Sequence, residues 1–327
     1  MSVPVIWSIA GLYPKNEFVF VGQKDLHDLF FGMPNVNYQS FNAEYRGAAK
    51  RGKELLKTIK AIYASTPFDT LIDLQADIST LLTRLWCHTK SIPVKTVDNV
   101  FFKQRLHIFS HGNTPAPPSM FETYAAALQK AGLKTDDRFI SLPVNKNAAE
   151  YVHYTFGEKL DGEKWIGIAP FAKSASNMLP FRTTKSIIQH YASLRNCRVF
   201  LFGAGVVESE MLNQWSCIYD NVVSVAGMLS LGCELELMRQ LDSMICMDSA
   251  NQHLAALVGL HVITVWGGTA PSNGFCAWKQ QETNFIEPAR RLNCRPCTLN
   301  GRKRCRRKTF ECLTRYTAQQ IIDKNKI

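Results

Sequence analysis

"ICMDSANQHLAALVGLHVITVWGGTAP" (residues 245–271) decides how the chain is read. An apolar run ends at Met247, Asp248-Ser249-Ala250-Asn251 turn the chain, and a helix begins near Gln252. A second apolar run, "HVITVWG" (261–267), follows. Short β-branched runs joined through a helix form a strand–helix–strand unit, and runs apolar at every position suit parallel strands buried on both faces.

The same rhythm extends outward in "WIGIAP" (165–170), "RVFLFGAG" (198–205), "VVSVAG" (222–227) and "SMICMD" (243–248). The first half shows strand-like runs at "EFVFVG" (17–22), "TLIDLQ" (70–75) and "IPVKTVDN" (92–99), with helical stretches at 48–64 and 79–87 between them. The predicted fold class is therefore α/β, with two Rossmann-like domains facing a cleft. Their expected spans are 1–155 and 156–327, with the turn-rich, polar stretch 141–163 as linker. Ligands of open parallel sheets bind beyond the carboxyl ends of the strands, so the loops there are inspected first.

In the 245–271 loop, small residues allow a ligand to approach the backbone, and the free N–H groups and dipole of a helix start favour phosphate. Asp248 is equally suited to capping, and His253 to packing on the sheet. "LFGAGVVESE" (201–210) contains only G-x-G, which does not support a dinucleotide fingerprint. Glu208 in that turn suits either ribose hydroxyls or the dipole of its own helix. "APFAKSASNMLP" (169–180) places Lys173 and Ser174 after a strand, where Lys173 would neutralise a phosphate or simply be solvated.

Of 327 residues, 46% are hydrophobic and 20% charged, the balance of a globular protein and not of a disordered one. No apolar run reaches the roughly 18 residues needed to cross a bilayer. The apolar stretch 3–12 lacks a basic segment before it and an A-x-A-like site after it, so a cytoplasmic location is expected. Nine basic residues and no acid lie between positions 288 and 310 (Arg290, Arg291, Arg295, Arg302, Lys303, Arg304, Arg306, Arg307, Lys308), against a net charge of +11 for the chain. The positive field is thus local and suited to an anionic surface or ligand.

Four of ten cysteines fall in the same loop, 290–312: Cys294, Cys297, Cys305 and Cys312. The spacing C-x2-C-x7-C-x6-C is compatible with a structural Zn²⁺ site and equally with reduced thiols. Basic residues around a zinc knuckle would also suit nucleic acid. Only Phe310 is at hand for base stacking, however, so no nucleic-acid partner is expected.

"IGIAPFAK" (166–173), "VFLFGAG…E", "VAGMLSLGCEL" (225–235), the 245–271 stretch and "CRPC…C…C" together resemble the bacterial heptosyltransferases, glycosyltransferase family nine. The resemblance spans nearly the whole chain and is most specific over 165–313. It implies a GT-B fold and inverting transfer of a sugar, often heptose from an ADP-linked donor, to a lipopolysaccharide core or related glycolipid, with no required cofactor. Carried over by position, it sets the donor diphosphate against Ser249, Ala250 and Asn251, with His253 in the same helix. Asp248 then faces the donor sugar, Glu208 the ribose and Met228 the base. Asp73 and Gln75 become the acceptor-side candidates. The basic loop would meet anionic glycolipid or the inner membrane surface, and the final helix of the C-terminal domain, "TAQQIIDKNK" (317–326), would by the same analogy cross back toward the first domain and help the cleft close.

The start, "MSVPVIWSIAGLYPKNEFVFVG" (1–22), reads as a helix over 3–13 and a strand over 17–22. In the resembling family a strand ending in G-D precedes that helix and supplies the general base. The N-terminal domain is therefore expected to lack its first strand, and the catalytic base to lie upstream of Met1. Asn177 stands where the family often has lysine, Gln75 where it has histidine, Ser79 near a frequent arginine and Asn99 at a frequent lysine. These departures keep open a homologue that binds a nucleotide sugar without turning it over.

Overall fold

The computed structural model describes residues 1–42, 47–288, 290–302 and 304–325, so Lys303 of the basic loop lies outside the described residues. The chain forms two compact units, Met1–Phe101 with Pro118–Phe139, and Phe102–Pro117 with Ile140–Ile327.

The first unit begins with α1 (Val3–Leu12), β1 (Phe18–Gln23), β2 (Val36–Phe41) and α2 (Ala48–Ser65). It continues with β3 (Leu71–Asp73), α3 (Ile78–Thr89) and β4 (Val94–Thr96). After α4 (Phe101–Phe109), which belongs to the second unit but for its first residue, α5 (Met120–Lys130) returns to the first. Pro4 fits the first turn of α1, whose Val3, Val5, Ile6 and Ile9 are buried. Asn35 Nδ2 donates to the Ala10 and Tyr13 carbonyls, each at 3.1 Å, serving acceptors that the end of α1 leaves open. Helix α1 packs on α5 and α2 on α3. The strands form two separate parallel pairs, β1 with β2 and β3 with β4, in place of a continuous sheet.

The second unit holds α6 (Lys146–Phe156), β5 (Lys164–Ala169), α7 (Phe181–Ala192), β6 (Cys197–Leu201) and α8 (Val206–Ser216). Then come β7 (Val222–Ser224), α9 (Leu231–Gln240), β8 (Ser243–Met247), α10 (Ala250–Leu257) and β9 (Val262–Val265). The chain finishes with β10 (Phe285–Ile286), α11 (Glu311–Thr314) and α12 (Ala318–Lys324), the last packed on α7. Six parallel strands run in the order β10-β9-β8-β5-β6-β7. Sequence order reverses between β5 and β8, the switch point at which doubly wound sheets open a ligand crevice. Strands β8 and β9 are buried at every position, as their unbroken apolar runs require.

The stretch expected to be a linker, 141–163, contains α6. Its Ala148, Val152 and Phe156 recur every four residues, are buried and dock the helix on α9. The expected boundary at 155/156 falls inside the second unit, and the chain passes between the units at 101/102, 117/118 and 139/140.

Candidate functional site

The loops after β5 and β8 meet at the switch point. Asp248 follows β8 and accepts three hydrogen bonds: from Thr269 Oγ1 at 2.6 Å, Gln252 Nε2 at 2.8 Å and Asn177 Nδ2 at 3.1 Å. Burial outweighs these donors and raises its carboxyl group from 3.8 to about 6. Gln252, fully buried, also accepts from Thr264 Oγ1 at 3.5 Å, which ties the first turn of α10 to β9. Asn177 therefore has a definite task, since it orients Asp248 from the β5 loop.

At the start of α10, Ser249 occupies the N-cap position without capping through its side chain. Its Oγ and the Nδ1 of His253 are buried and have no hydrogen-bond partner. Burial pushes the His253 imidazole down to about 3, so the ring is neutral at physiological pH. With the unfilled amides of Ser249, Ala250 and Asn251, this helix start offers neutral donors to an anion. Lys173 is exposed and Ser174 half-buried on the β5 loop.

Glu208, in the first turn of α8, accepts from the Ala204 amide at 3.0 Å and so braces its own turn. A methyl group on Gly227 would touch Ser209 Oγ at 3.5 Å, which brings the loop after β7 against the first turn of α8. Met228 of that loop is 55% exposed. Sequence reasoning passed over Glu234, in the first turn of α9, whose carboxyl burial raises to about 7. Its only sequence signal was an acid at a helix start.

The Cys-rich basic loop packs on this region. Gly268 N donates to the Ser176 carbonyl at 2.7 Å, Arg302 N to Ser176 Oγ at 2.7 Å, and Cys297 N to the Gly268 carbonyl at 2.9 Å. Arg295 Nε donates to the Gly267 carbonyl at 2.7 Å. Cys294, Cys297, Cys305 and Cys312 line one small cavity as free thiols. Among the described residues no three His, Cys, Asp or Glu side chains are placed to hold a metal ion, so the geometry does not fit the zinc site that the spacing suggested. The loop is set instead by its backbone bonds to Ser176 and Gly268. The thiols also differ: burial raises Cys312 to about 11, whereas backbone N–H groups around Cys305 outweigh its slight desolvation and lower it.

In the first unit, Asp73 Oδ1 accepts from the amides of Gln75 (3.0 Å) and Ala76 (2.8 Å), and Arg84 Nε lies 3.4 Å from Oδ2. Gln75 Nε2 donates to Asp77 Oδ2 at 2.7 Å, while Asp77 caps α3 through the Ser79 amide at 2.7 Å. Both acceptor-side candidates thus shape the turn between β3 and α3. Among the described residues no helix is long and apolar enough to cross a membrane.

A doubly wound six-strand domain with a second α/β unit before it in the chain is the architecture of GT-B proteins. The pattern of glycosyltransferase family 9 (heptosyltransferase) matches residues 56–303, and the chain belongs to that family. Among solved structures, ADP-heptose lipopolysaccharide heptosyltransferase II of E. coli is similar over 99% of this chain and 92% of its own, with 16% identity and a TM-score of 0.63. A family 9 glycosyl transferase from Veillonella parvula covers 99% and 91%, with 13% identity and a TM-score of 0.72. The E. coli heptosyltransferase WaaC, solved with ADP, covers 99% and 95%, with 16% identity and a TM-score of 0.61. No curated protein matches in sequence.

Proposed function

We propose that this protein is an inverting transferase that moves a heptose-type sugar from an ADP-linked donor to a lipopolysaccharide-core or related glycolipid acceptor. Membership of family 9 supports the class of reaction. The observation that carries the donor assignment is the pair of buried, unpartnered atoms at the start of α10, Ser249 Oγ and His253 Nδ1. A diphosphate laid against the amides of Ser249, Ala250 and Asn251 would satisfy them, and the similar WaaC structure holds ADP.

On this reading the protein binds the leaving diphosphate with neutral donors and with Lys173 and Ser174 of the β5 loop. Asp248, oriented by Asn177, Thr269 and Gln252, faces hydroxyls of the donor sugar. Glu208 and Met228 border ribose and base. Asp73 and Gln75 hold the turn on the acceptor side. Stabilising charge on the leaving group is where such preorganised donors contribute most. The exposed arginines of 290–308 draw the protein to anionic glycolipid at the inner membrane surface.

A second reading is a homologue that binds a nucleotide sugar without transfer. It is favoured by Asn177, which puts a neutral amide beside Asp248 where the family often has a cation. Calorimetric titration with ADP, followed by mass spectrometry of an acceptor incubated with ADP-heptose, separates the two. Binding with product supports the first, binding without product the second, and no binding removes both. Ser249→Ala should weaken ADP about tenfold, the worth of one hydrogen bond to a charged group.

A further inference from the structure

Helix α3 is amphipathic the wrong way round. Its buried positions are the small Ser79, Thr80, Thr83 and Cys87, whereas Ile78, Leu81, Leu82 and Leu85 are between 38% and 73% exposed. Those four recur at i, i+3, i+4 and i+7, so they form one continuous row along the helix. Single exposed apolar side chains are ordinary, but a contiguous row marks a surface that meets something.

Helix α2, packed on α3, carries a complementary feature. Lys50, Lys53, Lys57 and Lys60 are all exposed and recur every three or four residues, so they too share one face. Within its 18 residues α2 holds five basic residues and one acid, Glu54. A methyl group on Gly52 would lie 2.7 Å from the Ser79 carbonyl oxygen, and the Tyr63 and Trp86 rings meet edge to face at 5.4 Å. The two helices therefore run side by side in the same direction, with Lys53 and Ile78 next to the residues in closest contact. The first unit thus displays an aliphatic row and a lysine row on one pair of helices.

We propose that the exposed face of α2 and α3 is a bilayer-contacting surface, with the aliphatic row set among acyl chains and the lysines at anionic headgroups. Charge selects this occupant, since exposed lysines beside an apolar row repel a second copy of the same face and attract anionic lipid. Size selects it too. Four half-exposed side chains fall far short of the about 800 Å² per partner that a stable protein interface buries. A shallow apolar face with cations beside it is what an interfacial helix needs to lie on a membrane without crossing it. The assignment rests on the membrane contact proposed above and divides that contact in two. The arginines of 290–308 attract the protein from a distance, and α3 holds it once there. One short apolar row binds lipid only marginally without such attraction, so both are required.

The test is sedimentation at low salt with vesicles of phosphatidylcholine mixed with phosphatidylglycerol. Leu81→Ser combined with Leu85→Ser is expected to raise the lipid concentration for half retention at least about tenfold, and Lys53→Glu combined with Lys57→Glu to do the same. A Leu85→Trp variant is expected to gain fluorescence quenching by lipids brominated on their acyl chains, beyond that of the wild-type tryptophans. That readout requires insertion and does not depend on the polar variants folding. Unchanged retention of either double variant, or no added quenching, overturns the proposal and leaves the contact of the basic loop standing. Wild-type protein that these vesicles do not retain overturns both. A wild-type dimer that the serine variant converts to monomer assigns the face to a second copy and also overturns the proposal.

Discussion

Asp248 is costly to the fold. A carboxyl group raised from 3.8 to about 6 by burial favours its protonated form in the folded state. The folded protein therefore loses stability as pH rises from about 4 to about 6, and the loss stays constant above that, at about 3 kcal/mol. Asp248→Asn removes the titration and keeps an acceptor oxygen. Thermal melts across pH 4 to 8 should show the variant gaining on the wild type up to about pH 6 and then holding its advantage; parallel curves would show that Asp248 does not titrate in this range. Gly267 gives a second test, because a methyl group there would lie 2.2 Å from the Ser176 carbonyl oxygen. Overpacking against backbone costs about 1–3 kcal/mol, so Gly267→Ala should lower the melting temperature and loosen the loop that carries Asn177. From the sequence, Asp248 and Ser249 could be picked out because they follow an apolar strand. Their partners could not, since Asn177 and Thr269 lie 71 and 21 residues away and meet Asp248 only when β5, β8 and β9 align.

At the scale of elements, legibility followed burial. Strands β5, β6, β8 and β9 announce themselves because a central parallel strand is apolar at nearly every position. Strand β2 ("VNYQSF") does not, with Asn37, Gln39 and Ser40 in a ladder that is only half covered. Helix α6 was hidden by Lys146, Asn147, Glu150 and His153 on its outer face, although its buried stripe has helical spacing. Helix α5 is fixed at its start by its own side chains. Ser119 Oγ accepts from Glu122 N at 3.2 Å while Glu122 Oε2 accepts from Ser119 N at 2.7 Å, a reciprocal cap. Ser119→Ala should cost about 1 kcal/mol, read as a lower urea midpoint at unchanged slope. An unchanged midpoint would mean that packing on α1 alone fixes this helix.

For the molecule as a whole, the decisive quantity is where its charge sits. The nine basic residues between 288 and 310 are not equivalent. Arg295 is held by Glu287 at 2.7 Å and by the Gly267 carbonyl, and Arg302 by the Cys297 carbonyl at 3.1 Å, so both belong to the architecture beneath Asp248. Arg304, Arg306 and Lys308 are exposed and project a field that the rest of the chain does not balance. Such a field acts over about 10 Å at 0.1 M salt and collapses to about 3 Å at 1 M. The protein should therefore sediment with vesicles containing anionic lipid at low salt, ignore neutral vesicles, and be released as salt rises. Reversing Arg304, Arg306 and Lys308 to glutamate should abolish retention and leave the melting temperature within a few degrees of the wild type, because none of the three braces the site. Retention that survives both salt and reversal would assign membrane contact to apolar surface, such as the exposed Ile78 and Leu85 of α3, and remove the basic loop from that role.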